Sequence, residues 1–134
     1  DLANFQRKVA AGANAAITQY FYNADAYFAF VDRCAGRGVA IPILPGIMPI
    51  TNFSQLARFS DACGAEIPRW LRKRLEAMGD DIEAIRAFGH EVVLNLCRRL
   101  LEGGAPGLHF YSMNQAEPVL RLWRDLGLPG AERL

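Results

Sequence analysis

Short apolar runs rich in β-forming residues alternate with longer stretches of helical period along this chain, and no other feature of the sequence restricts the fold as much. Repeated strand–helix units build a parallel sheet with helices packed against it, because a strand followed by a crossover helix returns to a parallel neighbour. Four strand candidates stand at residues 16–22, 40–46, 65–68 and 107–112. The third is the weakest, and the prolines of the second suggest irregular pairing at both its ends. A helix over residues 2–11, with Leu2, Phe5 and Val9 on one stripe and Gly12 as its stop, precedes the first strand and has no strand of its own before it.

The other helices carry recognisable start and stop signals. One begins at a cap near Asn23 or Asp25, carries Tyr27, Phe28, Phe30, Val31 and Cys34, and ends at Gly36 to Gly38. Asn52 and Gln55 form a possible capping box ahead of Leu56, Phe59 and Cys63, and Gly64 stops that helix. Pro68 opens a helix presenting Trp70, Leu71 and Leu75. Residues 80–83 announce a long helix bearing Ile85, Phe88, Val92, Leu96 and Leu100, closed by Gly103 and Gly104, and the last helix spans 118–126. No linker or repeat divides the chain, so residues 1–134 read as one domain or one piece of a domain. At 134 residues the chain has about half the length of a complete eight-stranded β/α barrel. Four such units form an open curved sheet unless something closes it.

With 51% apolar and 22% charged residues and a net charge of +1, the chain is neither disordered nor basic enough to suggest nucleic acid or an acidic membrane as partner. No apolar run approaches the ~18 residues of a membrane span. Cys34, Cys63 and Cys97 are odd in number and widely spaced, which points to a reduced, cytoplasmic compartment and to three small buried hydrophobes. His90 and His109 lack a second ligand at helical spacing, so no metal site is expected.

The working residues of a β/α barrel lie at the C-terminal ends of the strands. Here those places offer Gln19, Tyr20 and Tyr22, then Pro45, Thr51, Asn52 and Gln55, then Ser112, Asn114 and Gln115. Nucleophilic triads, paired carboxylates and Gly-rich phosphate loops are absent from them. Amides read donor–acceptor edges and aromatic rings stack on faces, so this inventory suits a flat, hydrogen-bonding heterocycle, with a redox cofactor supplying any hard chemistry. On the first helix Asp1, Asn4 and Lys8 fall within about 60° of one another, with Arg7 at the margin. This is either a solvated face or a polar stripe that meets the hydroxyls and phosphates of a cofactor.

The run RKVAAGANAAITQYFYNADAYFAFVDRC, the run IPILPGIMPITNFSQLARFSDACGAEIPRWLRKRLE and the run GLHFYSMNQAE, in that order, resemble the C-terminal half of bacterial-type methylenetetrahydrofolate reductases. The resemblance implies strands five to eight of a (β/α)8 barrel, with the first helix following an absent fourth strand. It also implies a cytoplasmic flavoprotein, commonly a homo-oligomer, in which FAD carries hydride from NADH or NADPH to methylenetetrahydrofolate. On matching positions Asp1, Asn4, Arg7 and Lys8 would contact FAD, while Gln19, Gln55 and Phe59 would contact folate. Gln115 stands where such proteins often carry an arginine on the substrate side, and an amide offers no cationic fork. His109 is expected to be structural. The general acid, a glutamate of the first strand, and the aspartate that tunes the flavin belong to an N-terminal half that this sequence does not contain, so no catalytic residue is assigned here. The competing readings are a non-catalytic half-barrel that pairs with another half, and another flavin or pterin barrel enzyme.

Overall fold

The computed structural model describes residues 1–134. It contains three strands, β1 (Ala16–Tyr20), β2 (Ile43–Ile47) and β3 (His109–Phe110), in one parallel sheet of order β1-β2-β3. Six helices accompany them: α1 (Leu2–Ala10), α2 (Ala24–Gly36), α3 (Phe53–Cys63), α4 (Arg69–Ala77), α5 (Ile82–Glu102) and α6 (Ala116–Asp125). The expected strand at 65–68 does not form. That segment is short and ends in Pro68, which has no N–H for a ladder and instead caps α4, and the edge of β2 it would need is taken by β3. The chain therefore holds three strand–helix units rather than four.

Pairing is tight where backbones meet. Ala16 donates to Pro42 O at 2.9 Å and Tyr111 donates to Ile47 O at 2.8 Å, which extends both ladders by a bond beyond the strands. Between Ile17 and Tyr20 the register of β1 against β2 shifts, and there the Thr18 hydroxyl accepts from Gly46 N at 2.9 Å. A Cβ on Gly46 would overlap the Thr18 carbonyl and approach the Tyr111 ring to 2.7 Å, so only glycine permits this approach.

Helix starts follow the sequence signals closely. Asn23, Asn52 and Asp81 each accept a backbone N–H of the first turn through the side chain. Asp1, which carried no such reading in the sequence, caps α1 in the same way. Gly64, at φ 70°, stops α3 in a conformation that a side chain would disfavour. One face of the sheet is buried against helices: Ile43 and Ile47 are enclosed, and the Tyr27 hydroxyl of α2 donates to Ile43 O at 2.6 Å. α1 lays Leu2, Phe5 and Val9 on the core, with the Phe5 ring 5.8 Å from that of Phe30.

α5 buries Ile85, Leu96 and Leu100 of its expected stripe, but Gly89, Val93 and Cys97 are buried with them while Phe88 and Val92 are only half-buried. Gly89 contributes to this: a Cβ there would come within 2.6 Å of Ile50, so the helix lies close against Ile50 at a residue with no side chain. Trp70 likewise leaves the stripe of α4 and is 51% exposed, while Leu71 and Leu75 are buried. Cys34 and Cys97 are buried as expected, but Cys63 is exposed, because α3 turns Leu56 and Ser60 inward instead.

Candidate functional site

The carboxyl ends of β2 and β3 open into a shallow cleft lined by residues from the β2–α3 loop, α3, the β3–α6 loop and the start of α6. α3 is held over the strand ends by a buried hydrogen bond, Tyr20 hydroxyl to Ser60 Oγ at 2.8 Å, with Ser60 fully enclosed. Burial pushes the Tyr20 phenol above its ordinary value, and the Ser60 bond opposes that only in part, so the pair is a neutral structural tie. Tyr111 crosses the same end of the sheet, its hydroxyl donating to Thr18 O at 2.9 Å and its ring 6.2 Å from that of Tyr20.

Three of the four expected substrate residues, Gln55, Phe59 and Gln115, line this one cleft. Asn52 Oδ1 accepts from the backbone N of Gln55 at 3.0 Å, but the Gln55 side chain makes no return bond, so half of the box caps the helix and the amide stays free. Phe59 is half-buried in the lining rather than in the core. Gln19 does not line the cleft. It is exposed on β1, and its Oε1 accepts from Tyr20 N at 3.1 Å. His109 is half-buried and edge-on to Tyr111 at 4.9 Å, a packing role.

Sequence reasoning did not single out Met48, Pro49, Met113 and Pro118, which supply much of the apolar wall. Met113 and Asn114 both have positive φ, 51° and 62°, in a turn closed by Gln115 N donating to Ser112 O at 2.9 Å. Asparagine tolerates that conformation and methionine does so rarely, so backbone strain is held at the cleft. A non-glycine pair in such a turn leaves no sequence signal.

The four residues expected at the cofactor share the outward side of α1. Asp1 caps the helix through Ala3 N, Arg7 donates to Asn4 Oδ1, and Lys8 is exposed without an ion-pair partner. Two cations beside an amide fit the diphosphate and hydroxyls of a dinucleotide in donor chemistry.

A parallel α/β sheet with an uncharged cleft of amides and aromatic rings at its carboxyl strand ends defines a binding unit of the β/α class. The chain belongs to the methylenetetrahydrofolate reductase family, whose model matches residues 1–127. It is 38% identical to the 5,10-methylenetetrahydrofolate reductase of Escherichia coli (strain K12) over 131 residues, 97% of this chain and 44% of that protein. Similarity extends to a probable methylenetetrahydrofolate reductase (NADH) of Oryza sativa subsp. japonica, 38% identical over 96% of this chain and 22% of that protein. Among solved structures, an uncharacterized protein from Clostridium thermocellum that binds two copies of 5-methyl-5,6,7,8-tetrahydrofolic acid shares the fold. Its TM-score is 0.61 and its identity 22%, over 93% of this chain and 47% of that one. The chain thus spans less than half the length of the curated relatives it matches.

Proposed function

We propose that this chain is the C-terminal part of a flavin-dependent reductase that converts 5,10-methylenetetrahydrofolate to 5-methyltetrahydrofolate with NADH or NADPH. On this reading β1, β2 and β3 are the last three strands of an eight-stranded barrel, and an upstream segment of the same protein closes the sheet. The observation that carries the proposal is the free Gln55 amide, placed with Phe59 and Gln115 in one cleft, in a chain of this family.

Gln55 and Gln115 present donors and acceptors to the edge of a pterin, and Phe59 covers its face. Gln19, one strand away, reaches the same ligand by exchanging its local bond to Tyr20 N. Arg7, Lys8, Asn4 and Asp1 hold the diphosphate and hydroxyls of FAD. Relay of hydride from nicotinamide to folate is the chemistry FAD supplies when bound. The cleft contains no carboxylate, so the proton that opens the methylene bridge comes from the upstream part of the barrel.

Gln55→Ala and Gln19→Ala in the full-length protein test the reading. Each is expected to slow reduction of methylenetetrahydrofolate by about tenfold or more while leaving flavin reduction by the nicotinamide within about twofold. Equal losses in the two half-reactions would overturn the assignment of these amides to folate.

A further inference from the structure

Ser60 occupies a position on α3 that the helical period reserves for an apolar side chain. It lies one turn beyond Leu56 on the inward face, and among the serines, threonines, amides and charged residues of the chain it alone is buried. Gln55 and Phe59, also one turn apart, form a second side of the same helix and line the cleft. The hydroxyl of Ser60 meets that of Tyr20 at 2.8 Å. Apart from an approach of the same phenol to Cys63 Sγ at 3.9 Å, no other hydrogen bond joins β1 to α3.

We infer that Tyr20 and Ser60 are positioning residues for the substrate cleft, their bond fixing the rotation and height of α3 over the strand ends and so the aim of Gln55 and Phe59. Two buried hydroxyls add little stability over two apolar groups of the same shape, so what the pair contributes is geometry. Leu56 beside it packs on the core, but an apolar contact is non-directional and tolerates a turn or slide of the helix. A hydrogen bond weakens steeply with angle and distance, and in an enclosed site it has no water to replace it. Tyr20 is itself rigidly placed. Its ring is buried, edge-on to those of Tyr22 and Tyr111 at 6.2 Å each, and its backbone N–H donates to Gln19 Oε1 at 3.1 Å. The two residues thus join the strand that carries Gln19 to the helix that carries Gln55, through a bond that touches neither amide.

The inference rests on the folate reading above and adds to it two residues outside the cleft lining, acting through α3 rather than on the ligand.

The test uses the full-length protein and measures the thermal midpoint and both half-reactions for S60A, Y20F and Y20F/S60A. Each single change buries one hydroxyl without its partner and is expected to lower the midpoint by about 3 °C or more. The double change removes both hydroxyls, so its midpoint is expected to return to within about 2 °C of wild type. Its KM for methylenetetrahydrofolate is nonetheless expected to stay raised about fivefold, with flavin reduction by the nicotinamide within about twofold. A double variant with the wild-type KM would overturn the inference, because the pair would then be structural only. Q55A keeps the two readings apart: no loss in its folate half-reaction overturns the folate reading and the positioning role with it. A loss in Q55A beside an unaltered KM in Y20F/S60A removes the positioning role alone. If the double variant does not fold, Y20F, which deletes a single oxygen, is compared in wild-type and Q55A backgrounds. Its effect on KM is expected to be at least about twofold smaller in the second, and equal effects would overturn the inference.

Discussion

Cys97 and Cys63 show how one residue type is assigned opposite fates by packing. Cys97 is fully enclosed in α5, and burial pushes its thiol up to about 12, whereas Cys63 lies exposed with Sγ donating to Phe59 O at 2.6 Å. Native protein is therefore expected to react with a maleimide at Cys63 at pH 8, while Cys97 reacts only after denaturation, a difference that peptide mapping by mass spectrometry would reveal. The same burial makes stability pH-dependent. The folded thiol holds its proton above the ordinary value near 9, so its contribution is complete below about pH 9 and declines as pH rises toward about 12. Tyr22 and Tyr27, both raised by burial, act in the same direction, and denaturant midpoints should fall across that window. The identity of Gln55 as a site residue was open in the sequence because the same pattern also makes a capping box. Its side chain makes no return bond to the cap and lines the cleft, which leaves the amide free for the proposed contact.

At the scale of elements, the helix caps were the most legible feature, because a cap is a local contract between a side chain and the next turn. Asn52 is the cap with the greatest functional reach, since it starts α3, which carries Gln55, Phe59 and Ser60. Asn52→Ala is expected to cost about 1 kcal/mol, read as a lower urea midpoint with an unchanged slope. Local pattern failed where a neighbour decided the outcome. Residues 65–68 have strand-like chemistry, but β3 occupies the edge of β2, and Pro68 serves α4. The stripe of α5 departed from expectation at Phe88 and Val92, because periodicity counts side chains, whereas the helix packs against Ile50 at Gly89, which has none.

For the whole molecule, the unpaired outer edges of β1 and β3 matter most. Ile17, 50% exposed on β1, adds an apolar side chain to one of those edges. Residues 1–134 expressed alone are therefore expected to self-associate, visible as concentration-dependent mass in light scattering, and to show little turnover with NAD(P)H and methylenetetrahydrofolate. A monodisperse, active fragment would argue against closure of the sheet by an upstream segment. The sequence by itself determined the βα alternation, the parallel sheet, the helix-start signals that Asn23, Asn52 and Asp81 fulfil and the amide-rich strand ends, because each depends on near neighbours in the chain. Only the tertiary structure decided that three strands form, that Gln55, Phe59 and Gln115 share a cleft while Gln19 stands apart, and that Tyr20 meets Ser60 beneath α3. Those outcomes depend on which edge is free and which face turns inward, and residues separated by tens of positions settle both.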